Sequence, residues 1–168
     1  MAGYGSAAGF KTYHDERGRD VPPHWHDADI TAALLVASEW LDGAYASLWS
    51  GAPTGGYTQE RQWPRTGATT NTTPAYEFTN SEIPQSVVNA TYEAAYRELS
   101  TPGSLSVDFT QSKFNQVRVD GAIQVEYRND FVSSSEVQLQ ITSIQNMMSP
   151  LVTNTSSSFL SGASTRVV

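Results

Sequence analysis

A strongly periodic segment that runs straight into an aperiodic one constrains this chain most: residues 27–68, DADITAALLVASEWLDGAYASLWSGAPTGGYTQERQWPRTGA. Ile30, Leu34, Ala37, Leu41, Ala44, Tyr45 and Leu48 recur at helical spacing, while Ser38, Glu39 and Asp42 fall on the opposite side. One apolar stripe and one wet face are expected. Asp27 is placed to serve as N-cap, and Ser50-Gly51 followed by Pro53 to stop the helix, because glycine tolerates the left-handed turn and proline cannot continue it. From about residue 51 to 82 the chain is rich in Gly, Pro, Thr and Asn and keeps no period. A loop this long inside a compact domain is uncommon, and is usually functional or disordered. Its aromatics, Tyr57, Trp63, Tyr76 and Phe78, argue for order, since such residues are depleted where chains stay unfolded. Tyr57, Arg61, Trp63 and Arg65 are the candidate anchors. Two placements are open for them: Trp63 folded back on its own domain with Arg65 in a local salt bridge, or both packed against an adjacent subunit.

The flanking segments supply the partners for that helix. Residues from about 6 to 17 form a short helix whose Phe10 and Tyr13 share a face, ended by Gly18, and Val21-Pro22-Pro23 is an extended connector. A second strong helix begins at Pro84, a residue favoured at the first helical position, and runs to about Leu99. Val88, Tyr92, Ala95 and Leu99 make its stripe, with Val87 and Ala94 beside it, and residues 101–104 break it. The period then changes to two around Asp120-Gly121. A three-residue loop of Val119, Asp120 and Gly121, with Gly121 in a left-handed bulge position, pairs Val117 with Ile123 and Asn115 with Val125 in a hairpin over about 113–127. A last helix, with Val137, Ile141, Ile144 and Met148 on one face and Leu151 beyond it, closes the core. The fold class is mainly α: a small helical bundle over 1–152 with one β-hairpin, a long ordered loop and an extended C-terminal tail over 153–168. That Ser/Thr-rich tail cannot bury enough apolar surface to offset its own ordering. Its apolar residues, Phe159, Leu160, Val167 and Val168 together with Arg166, read as a strand-adding peptide.

Composition narrows the function. At 168 residues the chain holds one domain with a real core, and a net charge of −7 opposes any surface built to grip phosphates. No cysteine is present, which rules out disulfides and thiolate metal sites and suits assembly in a reducing cytoplasm. The first residues lack the pattern of a secretory signal, and no apolar run is long enough for a bilayer, so no membrane association is expected. His24, His26, Asp27 and Asp29 are the one cluster suggesting metal hydrolysis, but only His14 remains as a third imidazole, and two alternate histidines beside a helix start read as a solvated turn. With no nucleophile elbow and no phosphate-cradling motif, neither an enzyme nor a cofactor is expected. Arg61, Trp63 and Arg65 also interleave charge and aromatics as a single-stranded-DNA platform would.

The order of the pieces carries a resemblance. The long helix, then Gln59-Glu60-Arg61 with Trp63-Pro64-Arg65-Thr66-Gly67, then Ile83-Pro84, Val87, Ala90, Glu93-Ala94-Ala95 and Glu98-Leu99, then Pro102-Gly103-Ser104-Leu105, Val125-Glu126-Tyr127 and a last helix near Met147, resembles the head–tail connector (neck adaptor) proteins of long-tailed bacteriophages. Some of that family carry the label DnaT-like single-stranded-DNA-binding protein. The resemblance implies a structural virion protein of the neck, assembled in the host cytoplasm as a ring of about twelve copies that joins the portal vertex of the capsid to the tail. Its implied partners are other copies, the portal protein and the next neck or tail-completion protein, with DNA passing through unheld. It also implies that the tail, through Phe159, Leu160, Arg166, Val167 and Val168, contacts the portal. The alternative is a single-stranded-DNA-binding protein of primosomal type.

Overall fold

The computed structural model describes residues 3–106, the two strands at 116–119 and 123–126, and residues 141–153. Helix α1 (Ala7–Asp15) begins where Ser6 Oγ accepts the Gly9 N–H at 3.1 Å and ends before Gly18, whose φ of 62° is the left-handed stop expected there. Its Phe10, Tyr13 and His14 are buried. Helix α2 (Asp27–Tyr45) buries Ile30, Ala33, Leu34, Ala37 and Leu41 as one stripe. Helix α3 (Gln85–Ser100) buries Val87, Ala90, Thr91, Tyr92, Ala94 and Ala95, and α4 (Thr142–Met148) buries Ile144 and Met148.

These stripes meet in one core. α2 packs on α3, α3 on α4, and α1 lies against both α2 and α3. Each fully buried Ile, Leu or Met there contributes about 1.5–3 kcal/mol, while the alanines of α3 let the helices approach closely. The expected helical bundle with a hairpin is what forms.

Several boundaries differ from expectation. The N-cap of α2 is His26, not Asp27, because Asp29 three residues on accepts the His26 N–H at 3.1 Å and so satisfies the first turn. α2 stops at Tyr45, and residues beyond it turn so that Trp49 pairs antiparallel with Val152. Gly51, at φ 69°, still serves as a left-handed corner, where a Cβ would strike the Thr66 carbonyl. Pro84 caps α3 instead of entering it.

Ser38 and Asp42, expected on the wet face of α2, are covered by the N-terminal segment and the loop. Ser38 is fully buried, accepting the Tyr4 N–H at 2.8 Å and donating to the Leu34 carbonyl at 2.6 Å. Gly3 makes this possible, since a Cβ there would sit 2.8 Å from the Leu34 oxygen.

Strands β3 (Gln116–Val119) and β4 (Ile123–Glu126) form the hairpin, antiparallel, but two residues out of the expected register. Val117 faces Val125 and Val119 faces Ile123, so Val119 belongs to the ladder and not to the turn. A β-branched residue favours the extended strand over a turn position, and the shifted register pairs two such couples. Asn115, Val137, the 120–122 turn and the tail beyond Thr153 lie outside the described residues.

Candidate functional site

Loop 51–82 is ordered by two short antiparallel pairings. Strand β1 (Ala52–Pro53) pairs with β2 (Arg65–Thr66), and Thr69 bridges Glu77 around a turn holding the cis Thr73–Pro74 peptide. The β1–β2 tip turns through a 3-10 segment, Gly56–Thr58. Gln59 braces that tip: its Oε1 accepts the Gly55 N–H at 2.7 Å while its Nε2 donates to the Arg61 and Pro64 carbonyls at 2.7 and 2.9 Å.

The loop is fastened to α2 by a network around Tyr4. Tyr4 Oη donates to Asp42 Oδ1 at 2.6 Å and accepts the Trp63 backbone N–H at 3.0 Å. Asp42 Oδ2 accepts from Gln62 N–H at 3.4 Å and lies 3.6 Å from the Arg61 guanidinium, which also reaches Glu39 at 3.3 Å. Burial, then the neighbouring Asp42 carboxylate, drives the Tyr4 phenol far above its ordinary range, so it stays a donor. Burial likewise raises the Asp42 carboxyl, against the hydrogen bonds that favour its charge.

Trp63 lies on its own domain, 3 % exposed, edge-on to Trp49 at 5.9 Å and to Phe78 at 5.4 Å. The indole nitrogens of Trp49 and Trp63 are buried without a partner among the described residues, a cost of about 1–3 kcal/mol each that the aromatic packing offsets. Arg65 is 4 % exposed and makes no local salt bridge among the described residues. Its Nε donates to the Ser50 carbonyl at 2.9 Å, Nη2 to the Gly51 carbonyl at 2.7 Å, and Nη1 to Gln62 Oε1 at 3.1 Å. The fork thus gathers the carbonyls left free where α2 gives way to the loop.

Of the expected anchors, Trp63, Arg65 and Arg61 are brought together and Tyr57 is not. Tyr57 stands fully exposed at the tip, and Tyr76 is 53 % exposed with its hydroxyl turned to Glu82. The Gly55-Gly56 turn carries Tyr57 outward, away from the apolar core of the described residues. The Arg61/Trp63/Arg65 interleave therefore offers no stacking platform, because its ring and one of its two cations are inside the fold.

A further set of bonds ties the loop to the point where the tail leaves. Asn71 Nδ2 donates to the Ser149 and Val152 carbonyls at 2.7 and 2.8 Å, and the Asn71 N–H to the Pro150 carbonyl at 2.9 Å. Ser50 Oγ donates to the Thr69 carbonyl at 2.9 Å and accepts the Thr69 N–H at 2.8 Å. Thr153, the last described residue, donates its N–H to the Leu48 carbonyl at 2.7 Å. Phe159, Leu160, Arg166, Val167 and Val168 lie outside the described residues.

Sequence reasoning missed Tyr4, Ser50 and Asn71, and placed Ser38 and Asp42 in water. Each is a single polar residue with no periodic signal, meaningful only once distant segments meet. The histidine cluster is dispersed into ordinary roles: Asp27 holds Lys11 at 2.6 Å and Asp29 accepts from the backbone. Among the described residues no group of three or more His, Cys, Asp or Glu side chains is placed to hold a metal ion, and no helix is long and apolar enough to cross a membrane.

No curated protein and no solved structure matches the chain. A family model described as "Putative DnaT-like ssDNA binding protein" matches residues 2–167, a span that takes in the Tyr4 network, the fastened loop, the hairpin and the tail. The chain belongs to that DnaT-like family.

Proposed function

We propose that this chain is a structural subunit of a head–tail connector ring in a long-tailed bacteriophage, placed in the neck between portal and tail, with DNA passing through. The observation that carries the reading is the use made of loop 51–82: its Arg61, Trp63 and Arg65 are taken up by an internal frame, as suits a part held in an assembly. Arg61 is paired with Glu39 and Asp42, Trp63 is buried, and Arg65 is consumed by carbonyls. A net charge of −7 suits a channel part that must not hold duplex DNA. The order of motifs shared with connector proteins points the same way. In this reading the tail beyond Thr153, released next to Leu48 at a fixed point, contacts the portal through Phe159, Leu160 and Arg166 to Val168, and the chain is neither an enzyme nor bound to a cofactor. About twelve copies close the ring, and the next neck protein follows.

The family description favours a second reading, a single-stranded-DNA binder. Fluorescence anisotropy with single- and double-stranded oligonucleotides at physiological salt separates the two. Negligible binding to both is expected; submicromolar affinity for the single strand establishes the DNA-binding reading instead.

A further inference from the structure

His14 is a buried titratable group that the connector reading leaves without a task. It sits on α1 with its ring among those of Phe10 at 4.5 Å, Tyr96 at 4.7 Å and Tyr13 at 5.0 Å. Its Nε2 is 3.2 Å from the Tyr92 carbonyl of α3, and its Nδ1 is 3.5 Å from Arg19 Nη1. Guanidinium can only donate, so Nδ1 is the acceptor and the single proton is on Nε2, given to Tyr92. The tautomer is fixed from both sides.

The groups facing this ring leave no place for a second proton. From α1 and the turn after it come Tyr13, Arg17 and Arg19; from α3 come Tyr92, Glu93 and Tyr96. The one carboxylate facing it among the described residues, Glu93, is already engaged, taking Arg19 Nη1 at 2.7 Å and Tyr13 Oη at 3.1 Å. Protonated Nδ1 would turn an N–H toward a guanidinium from a residue with no exposed surface.

The segment that would yield also reaches loop 51–82. Residues 3–19 are held to α3 by the His14 and Glu93 contacts and by Ser6 N–H on Tyr92 Oη at 3.3 Å. Two residues before Ser6, Tyr4 holds Ser38, Asp42 and the Trp63 backbone. The α2–α3 and α3–α4 contacts do not pass through this segment.

We propose that residues 3–19 are an acid-released latch: protonation of His14 lifts α1 from α3, withdraws Tyr4, and frees loop 51–82 while α2, α3 and α4 stay packed. The inference is independent of the connector reading. Burial lowers the His14 pKa below its ordinary 6.5, so the stabilisation is full above that value and is lost as pH falls through the depressed one. Asp42, raised by burial, acts in the opposite sense on acidification, and so is not the trigger.

Hydrogen–deuterium exchange of the full chain, corrected for intrinsic rate and taken from pH 7.5 to 5, tests this. Peptides covering 3–19 and 60–66 should open at least tenfold more at the acid end, with 85–100 unchanged. His14→Gln, which keeps a donor for Tyr92 but cannot charge, should abolish the difference. Should that variant fail to fold, the parent's His14 ring resonances followed by NMR across the same range must change together with the amides of 60–66. Opening of all helices at once, acid release that persists in His14→Gln, or a His14 titration that leaves residues 3–19 and 60–66 unmoved overturns the proposal.

Discussion

Tyr4 and Asp42, thirty-eight positions apart, close a hydrogen bond of 2.6 Å that holds the N-terminus, the second helix and the long loop as one body. The same phenol oxygen takes the Trp63 N–H, so a single hydroxyl serves as donor to one element and acceptor to another. Tyr4→Phe keeps the ring and removes both bonds, leaving a buried N–H and part of a carboxylate unsatisfied. A loss of about 1–3 kcal/mol is expected by urea unfolding, with faster exchange at the Trp63 amide. Unchanged stability would mean that packing alone holds the loop.

Trp63→Ala empties the space between Trp49 and Phe78. Truncating a buried aromatic costs about 3–5 kcal/mol, a large share of the stability of a domain this size. Because Trp63 packs on its own domain, the loss should appear in denaturation of the isolated chain, at any protein concentration. A variant that melts like the parent and fails only in assembly would restore an intersubunit role.

Arg65 is replaceable by neither a neutral nor a compact cation. Arg65→Met strands the Ser50 and Gly51 carbonyls, and Arg65→Lys cannot span them with a single ammonium. Each should lose at least about 2 kcal/mol in denaturant titration. Full rescue by lysine would show that charge, and not the fork, is what the site needs.

Asn71→Ala removes two donors from the carbonyls that end the last helix. The expected loss is about 1–2 kcal/mol, with protection falling over residues 149–153 and not in α2. Limited proteolysis read by mass spectrometry checks where the chain loosens.

Much of this was legible in the sequence because periodicity reports burial directly. Ile30, Leu34, Ala37 and Leu41 announced the core face of the second helix, Phe10 and Tyr13 that of the first, and Ile144 and Met148 that of the last. The order of the loop followed from its aromatics. What periodicity cannot report is a polar residue buried by a segment far away in sequence: Ser38 and Asp42 sit on the side of α2 that faces water in an isolated helix, and Tyr4 covers it. For Arg65 the sequence suggests a local salt bridge or an intersubunit contact, because its actual partners are carbonyls, which every residue possesses. Tyr57 is an aromatic side chain that local glycines carry outward, so it does not anchor the loop to its own domain, and an intersubunit contact is the placement left to it.

In the function proposed above, this chain builds the joint between capsid and tail. The direct measurement is electron cryo-microscopy of DNA-filled, tail-less heads incubated with the purified full chain, beside a variant lacking residues 156–168. A ring of about twelve copies is expected on the portal vertex for the full chain and bare vertices for the truncated one, whose circular dichroism remains that of the parent. Heads that stay bare with the full chain, together with submicromolar binding of single-stranded oligonucleotide, would contradict it.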